Sequence, residues 1–341
     1  MRLVIEPLGR QIEVAEGANL LATLRDHGMP MSYSCMAGRC GTCRCKVMSG
    51  QVMEGDRVGG VGELVLACMS TLTQDCSVEI PEPDEVVQHP ARVLKSSVVA
   101  IESMTHDVLR LRLRVNKPLA FSPGQYVQLQ FTPELIRPFS MAGLPGDDEL
   151  EFHIRLVPGG RATGFIAREL RVGDSVRVTG PLGTAYLRRR HEGPMICVAG
   201  GTGLAPILSI VRGAISQKMS NPIHLYFGVR SAEDVYGLAW LQALTSRHAA
   251  LRLTVVVSAG NVDPGRRSGV VPDAINMDHE SLSGWRAYIC GSPPMVEAVT
   301  KSILKKGVQA QHVYADAFYA SLGPLAKGSP RPLVSSSSVL A

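Results

Sequence analysis

Residues 34–43 read SCMAGRCGTC, and this stretch decides how the first part of the chain folds. Cys35, Cys40 and Cys43 in it are spaced C-x4-C-x2-C, and a fourth cysteine, Cys68, follows at a distance. This is the ligand spacing of a plant-type [2Fe–2S] cluster, in which four thiolates converge on two irons. Glycines between the cysteines let the backbone turn tightly and aim N–H groups at sulfur. The stretch therefore predicts an iron–sulfur site.

Three cysteines are candidates for the fourth ligand. Cys68 ends the apolar segment 65–67, which can shield a cluster, and we therefore assign it as the ligand. Cys76 is the alternative, but it opens the predicted strand 76–80, and Cys45 is predicted to be a small buried residue. A zinc ribbon is the other interpretation of the CxxC pair, but it needs a second CxxC that the sequence lacks.

Composition and charge limit the class of protein. The 341 residues are 45% hydrophobic and 19% charged, enough for several cores, and 34 Gly with 22 Pro exclude a collagen-like chain. Residues 1–88 carry 7 basic and 12 acidic side chains, whereas the remainder carries 28 basic and 18 acidic ones. The basic residues are scattered through apolar strands, so we expect no nucleic-acid partner.

Pattern changes along the chain predict three domains. Prolines and acids at 81–90 predict a linker that closes a domain at 1–88, with a strand pair, a helix at 19–27 and the cysteine loop. Strict alternation in 109–115, 126–131 and 150–156 predicts an antiparallel β-barrel domain over 91–190. Apolar strands alternating with helices predict a parallel α/β sheet over 191–320, and the Ser- and Pro-rich residues 321–341 predict a mobile tail.

Two observations bear on location. The first ten residues contain no apolar signal segment, so we expect a cytoplasmic protein. Residues 193–211 carry no charge and reach transmembrane length, but they contain Gly200, Gly201, Gly203 and Pro206. A buried strand, a glycine turn and a helix account for them better, and we expect no membrane span.

Two short segments of the predicted barrel favour a flavin dinucleotide. In Arg137-Pro138-Phe139-Ser140, the guanidinium suits a pyrophosphate, the ring can stack on a heterocycle, and the hydroxyl can bond a ring nitrogen. Further on, Gly160, Arg161 and Thr163 precede a helix predicted at 164–170, with Thr163 as its N-cap. A helix N-terminus there can hold a second phosphate oxygen. A surface turn is the other interpretation of the first segment.

A third segment predicts a nicotinamide dinucleotide site. Gly201, Thr202 and Gly203 lie between an apolar strand and a helix, the context that a dinucleotide loop requires. Pro206 stands where an ordinary fingerprint has its third glycine, in the first turn of the predicted helix. Arg230, after the next strand, stands where a ribose-binding acid is expected and can meet a 2′-phosphate, so NADH is expected with NADPH also possible.

Together these segments give the chain a specific resemblance. Over about residues 1–320 the chain resembles the iron–sulfur flavoprotein reductases of multicomponent aromatic-ring dioxygenases. The resemblance rests on these motifs, in the order in which they occur: SCMAGRCGTC, FSPGQY, RPFSMAG, FHIRLVPGGRATGF, GPLGTAYL, VAGGTGLAP, LYFGVR, YICGSPPMVEA and YADAFY. The resemblance implies a β-grasp [2Fe–2S] ferredoxin domain, an FAD-binding barrel and an NAD(P) domain of the ferredoxin-reductase type. It also implies that Cys290 and Gly291 lie beside the nicotinamide. Phe139 replaces the family's usual tyrosine, and the segment from Cys43 to Cys68 is shorter than in relatives.

The implied function is electron transfer from NAD(P)H through FAD and the cluster to a Rieske-type ferredoxin, which feeds an oxygenase. Ser140 and Cys290 are the candidate catalytic residues, with Ser140 placed to tune the flavin N5 atom. Direct donation to the oxygenase is an alternative that the sequence does not separate from this. A redox-sensing iron–sulfur flavoprotein is the alternative of a different class.

Overall fold

The computed structural model describes residues 1–29, 31, 38, 43–80 and 89–318. Within these ranges the chain forms three units in sequence order, each built around its own sheet. The tail at 321–341 and all of the linker except residues 89 and 90 lie outside the described residues.

The first unit is a five-stranded β-grasp sheet with one helix packed against it. Its central pairing is parallel, between the first strand and the last, with Leu3 opposite Cys76. Asn19 caps the helix, since its side chain accepts a hydrogen bond from the N–H of Ala22. The sheet has the order β2-β1-β8-β3-β6, and β5-β4-β7 form a small second sheet. The elements are β1 (Arg2–Glu6), β2 (Arg10–Glu13), α1 (Leu20–Asp26), β3 (Arg44–Ser49), β4 (Val52–Glu54), β5 (Arg57–Gly59), β6 (Leu64–Leu66), β7 (Ser70–Leu72) and β8 (Cys76–Glu79).

The second unit is a curled antiparallel sheet of six strands. Its order is β12-β11-β14-β9-β10-β13, and a single bridge between Met141 and Phe152 brings its two ends together. Apolar side chains alternate into the core along each strand, as the sequence pattern predicted. The elements are β9 (Arg92–Ser103), β10 (Val108–Val115), β11 (Tyr126–Thr132), β12 (Leu135–Ser140), β13 (Leu150–Arg155), α2 (Arg161–Arg168) and β14 (Ser175–Leu182).

The third unit is a parallel six-stranded sheet in the order β18-β17-β16-β15-β19-β20, with helices on both faces. The uncharged stretch 193–211 forms a strand, a short 3₁₀ turn and a helix, as predicted. No helix in the described part of the chain is long and apolar enough to cross a bilayer. The elements are β15 (Met195–Gly200), α3 (Leu204–Ser216), β16 (Ile223–Val229), α4 (Leu238–Arg247), β17 (Leu251–Val257), β18 (Arg267–Ser268), α5 (Val271–Asp278), β19 (Arg286–Gly291), α6 (Pro293–Lys305) and β20 (Val313–Ala317).

The second and third units share a packed interface. Val108 and Leu187 belong to the same buried cluster as the inner face of the parallel sheet. The hydroxyl of Ser209 donates a buried hydrogen bond of 2.6 Å to the carbonyl of Gly143. Ser209 lies in α3, the helix that follows the carboxyl end of β15. A ligand crevice is expected at the carboxyl ends of the parallel strands.

One helix boundary predicted from the sequence is wrong. The helix after Gly160 begins at Arg161 rather than at residue 164, and Gly160 in extended conformation is its N-cap. Thr163 is therefore inside the first turn. Its hydroxyl accepts a hydrogen bond from the N–H of Val157 at 3.2 Å, which ties the preceding loop to the helix instead of capping it.

Candidate cofactor sites

The described part of the cysteine site brings Cys43 and Cys68 together. The N–H of Cys68 donates to the sulfur of Cys43 at 3.4 Å, and the N–H of Gly38 donates to the sulfur of Cys68 at 3.3 Å. Gly38 has a φ of +68°, which directs its N–H toward the sulfur. Cys35 and Cys40 lie outside the described residues. Backbone donors around paired thiols suit an anionic iron–sulfur cage.

The cysteines differ in how readily they ionise. The hydrogen bond with Cys43, helped by the backbone N–H groups, lowers the pKa of the Cys68 thiol to about 6 against the effect of burial. Burial raises the pKa of Cys45 to about 12 and that of Cys76 to about 11. Metal ligands are thiolates, so this contrast favours Cys68 as the fourth ligand. Cys45 is 2% exposed, which confirms the sequence-based view of it as a buried residue.

The glycine-rich turn lies at the point where the strand order of the parallel sheet reverses. β15 has β16 on one side and β19 on the other, so the crevice at its carboxyl end is the topological switch point. The turn Gly201–Gly203 joins β15 to α3 there. A Cβ on Gly203 would collide with the carbonyl oxygen of Cys290, so only glycine lets the turn pack so closely against β19. The backbone there can approach a pyrophosphate closely.

On the barrel side, β12 and α2 carry the predicted flavin residues. Pro138 is exposed, while Arg137, Phe139 and Ser140 are half-buried. The ring of Phe139 lies edge-on to Phe131 at 6.4 Å. Phe131 in turn contacts Phe165 of α2, so the ring of Phe139 is linked to the helix through Phe131. Gly160 and Arg161 stand at the start of α2, the helix that carries Phe165.

Barrel and parallel sheet meet at Ser140. Its hydroxyl donates to a carboxylate oxygen of Asp316 in β20 at 3.5 Å. Asp316 is paired in register with Cys290 of the neighbouring strand. Burial raises the pKa of Asp316 to about 6. Burial, and then the nearby carboxylate of Asp316, raise the pKa of Cys290 well above its usual value. The structure thus brings together Ser140 and Cys290, which the sequence predicted, with Asp316, which it did not.

The sequence reasoning also missed Arg155, whose guanidinium lies 3.9 Å from the position that a Cβ on Gly201 would take. Its side chain is paired with Asp107 at 2.8 Å and is 43% exposed. Both Asp316 and Arg155 stand inside motifs quoted above, YADAFY and FHIRLVPGG, which was the only available signal. Arg230 is exposed just beyond β16, and its carbonyl accepts a hydrogen bond from the N–H of Ala259.

Comparison with known proteins identifies three family models in the order of the three units. The models for a 2Fe-2S iron-sulfur cluster binding domain, an oxidoreductase FAD-binding domain and an oxidoreductase NAD-binding domain match residues 3–73, 95–186 and 197–301. The chain is 56% identical to the ferredoxin–NAD(P)+ reductase component of the naphthalene 1,2-dioxygenase/salicylate 5-hydroxylase systems of a Ralstonia species, covering 94% of this chain and 99% of the relative. The chain belongs to the iron–sulfur flavoprotein reductases.

Two further relatives support this membership. The naphthalene 1,2-dioxygenase reductase component of Pseudomonas putida is 54% identical over 94% of this chain and 99% of its own. The crystal structure of an Amycolatopsis cytochrome P450 reductase superposes with a TM-score of 0.70 at 34% identity, covering 93% of this chain and 98% of that one. This reductase is accordingly an NAD(P)H-dependent oxidoreductase with FAD and a [2Fe–2S] cluster, and the β-grasp, barrel and α/β architecture predicted from the sequence is confirmed.

Proposed function

We propose that this reductase passes electrons from NADH to a Rieske-type ferredoxin of a multicomponent aromatic-ring dioxygenase of the naphthalene type. The observation that carries this proposal is the order of three modules in one chain, combined with 56% and 54% identity to reductase components of naphthalene dioxygenase systems. FAD supplies the conversion between the two-electron chemistry of a nicotinamide and the one-electron chemistry of an iron–sulfur cluster. A cytoplasmic location fits, because nicotinamide donors and free thiols are kept reduced there.

For the cluster, we assign Cys35, Cys40, Cys43 and Cys68 as ligands. The hydrogen bonds from Gly38 and Cys68 to the two described sulfurs support the assignment. These donors stabilise thiolate charge and so favour a cluster over free thiols.

For the flavin, we assign Arg137 and the start of α2 at Gly160, Arg161 and Thr163 to the pyrophosphate. Pro138 and Phe139 flank the ring system, with Phe139 held by its contact with Phe131. Ser140 is the residue that we place at the reacting edge of the ring. Its contact with Asp316 supports this role, because the carboxylate orients the hydroxyl where the two units meet.

For the nicotinamide dinucleotide, we assign Gly201, Thr202, Gly203, Gly291 and, at the 2′ position of the ribose, Arg230. The close packing of Gly203 on Cys290 supports this arrangement. Cys290 is the proposed contact with the nicotinamide. Its raised pKa keeps the thiol neutral, so it can pack against the nicotinamide without acting as a thiolate nucleophile.

The test uses the purified reductase with its cofactors. We expect NADH-dependent reduction of a Rieske-type ferredoxin, measured from the visible spectrum of that ferredoxin, and we expect Ser140→Ala to slow flavin reduction about tenfold, the effect of one lost hydrogen bond of about 1.4 kcal/mol. Reduction of the isolated terminal oxygenase at the same rate without any ferredoxin would instead establish the direct-donor alternative. Absence of sustained NADH turnover with any acceptor would favour a redox sensor.

A further inference from the structure

Strand β13 presents a polar face to the nucleotide-binding unit. Leu150, Phe152 and Ile154 point into the barrel core, so the alternate residues of the strand point the other way. His153 is one of them, yet its side chain is 0% exposed. It is covered by Tyr236 and Trp240 of the nucleotide unit, whose rings lie 5.3 Å and 5.9 Å from it. A polar residue on the outer face of the barrel is therefore buried by the other unit.

His153 is hydrogen-bonded on both ring nitrogens. Nδ1 lies 3.0 Å from the hydroxyl of Tyr236, and Nε2 lies 3.1 Å from a carboxylate oxygen of Glu151. Arg110 donates to the other oxygen of Glu151 at 2.6 Å. Although burial alone would raise the pKa of Glu151, the hydrogen bonds from His153 and Arg110 lower it to about 2. The carboxylate is ionised and only accepts, so Nε2 carries a proton.

The contacts of His153 with Tyr236 and with Glu151 cross the boundary between the two units. Trp240 closes the cluster, with the guanidinium of Arg110 lying 5.0 Å above its ring.

Tyr236 also reaches the glycine-rich turn. Its hydroxyl donates to the carbonyl oxygen of Gly201 at 3.5 Å, and the residue is 4% exposed. The segment before Tyr236 is held by reciprocal hydrogen bonds between Ser231 and Asp234, which form a capping box. Tyr236 is thus rigidly placed between the barrel strand and the turn.

We propose that His153 and Tyr236 form a positioning pair that holds the turn Gly201–Gly203 at a fixed place relative to the FAD barrel. The inference rests on the proposed role of that turn in nucleotide binding. Neither side chain needs to touch a cofactor, because both act through the backbone of Gly201. A small shift of the turn would misplace the nicotinamide against the flavin, and hydride transfer is sensitive to such shifts.

The test compares Tyr236→Phe, His153→Phe and the double variant in the FAD-loaded protein. Three quantities are measured: the affinity for NAD+ by calorimetry, the rate of flavin reduction by NADH in stopped flow, and amide hydrogen exchange over 201–204. Tyr236→Phe removes only the hydroxyl, and we expect flavin reduction to slow about fivefold to tenfold with faster exchange at the turn. The double variant should be no worse than the more affected single variant, since the pair acts as one unit.

The matched control is Tyr226→Phe. Tyr226 is also buried, and its hydroxyl donates to Asp278 at 2.7 Å, but it lies in the cluster on the opposite face of the sheet. We expect this control to keep the wild-type rate of flavin reduction and the wild-type exchange at 201–204.

Two results would overturn the positioning role. One is a Tyr236→Phe protein indistinguishable from the control in all three measurements. The other is strictly additive effects in the double variant, which would mean that the two residues act independently. Failure of the proposed function gives different results. If the acceptor is wrong, NADH still reduces the flavin of the wild type. If the nucleotide site is wrong, adding NAD+ to the wild type leaves amide exchange over 201–204 unchanged.

Discussion

At the scale of single residues, the cysteines show how local hydrogen bonding selects a ligand. Cys68 and Cys76 lie in the same unit, and both follow short strands or turns of that unit. The sulfur of Cys68 accepts a hydrogen bond from the N–H of Gly38 and the pKa of its thiol is lowered, whereas burial raises the pKa of Cys76. The same side chain is thus prepared as a thiolate in one place and kept as a neutral core residue in the other.

The first prediction follows from this difference. Cys68→Ser should lose iron and labile sulfide while FAD is retained, because the flavin residues are in another unit. Cys76→Ser is the matched control and should keep the full iron content, with some loss of stability from a polar atom in the core. Iron analysis and the visible spectrum report the outcome. Loss of iron in Cys76→Ser with a normal content in Cys68→Ser would reverse the assignment.

The second prediction concerns Arg230, which is exposed at the end of β16. If its guanidinium meets a 2′-phosphate, Arg230→Ala should weaken the use of NADPH about tenfold or more and change NADH little. The measurement is kcat/KM for flavin reduction by each nucleotide. Arg247→Ala, an exposed arginine at the end of α4, is the control and should change neither. Equal losses for both nucleotides with Arg230→Ala would show that it does not recognise the 2′ position.

At the scale of secondary-structure elements, β16 and α5 are joined by a buried polar cluster that makes the nucleotide unit sensitive to acid. Nδ1 of His224 lies 3.0 Å from Nε2 of His279, and its side chain is 8% exposed. Burial, and then the proximity of His279, lower the pKa of His224 to about 4. An unfolded histidine has a pKa of about 6.5, so the unfolded state binds the proton more tightly. The free energy of unfolding therefore falls as pH decreases from about 6.5 toward 4.

The third prediction puts a magnitude on this effect. Between pH 7 and pH 5, His224 alone should remove about 2 kcal/mol of stability, and His224→Gln should make the pH dependence shallower by that order. Urea unfolding of the nucleotide unit at the two pH values measures it. A variant whose stability changes with pH as steeply as the wild type would show that another group causes the acid sensitivity.

Elements with a strong local pattern could be predicted from the sequence. Alternation of apolar and polar residues predicted the strands from Leu109 to Val115 and from Tyr126 to Phe131, because each strand has one buried face. The start of α2 was misplaced because extended Gly160, with no side-chain signal, caps the helix instead of Thr163. The pairing of His153 with Tyr236 spans 83 residues and two units, so no local pattern encodes it. Contacts of this kind depend on how the units pack together.

At the scale of the whole molecule, the hydrophobic cores show which units share packing and which do not. Among the described residues, the core of the first unit consists of residues between Leu3 and Ile80, and the other buried clusters begin at Leu94 or later. The barrel and the parallel sheet, in contrast, share a cluster that includes Val108. The first unit also has an excess of acidic residues, and the rest of the chain has an excess of basic ones. The barrel and the parallel sheet, which carry the residues assigned to FAD and NADH, are therefore expected to fold without the acidic first unit, which carries the cluster.

The last prediction tests this division with a fragment that starts at His89. It keeps the barrel, the nucleotide sheet and all residues assigned to FAD and NADH, so it should bind FAD and reduce ferricyanide with NADH at close to the intact rate. It should not reduce a Rieske-type ferredoxin, because the cluster that hands on single electrons is missing. In the intact protein, ferredoxin reduction should respond to ionic strength more than ferricyanide reduction does, since the charge of the acidic unit steers its encounter with a protein partner. A fragment that reduces the ferredoxin at nearly the intact rate would place the cluster outside the path of the electrons.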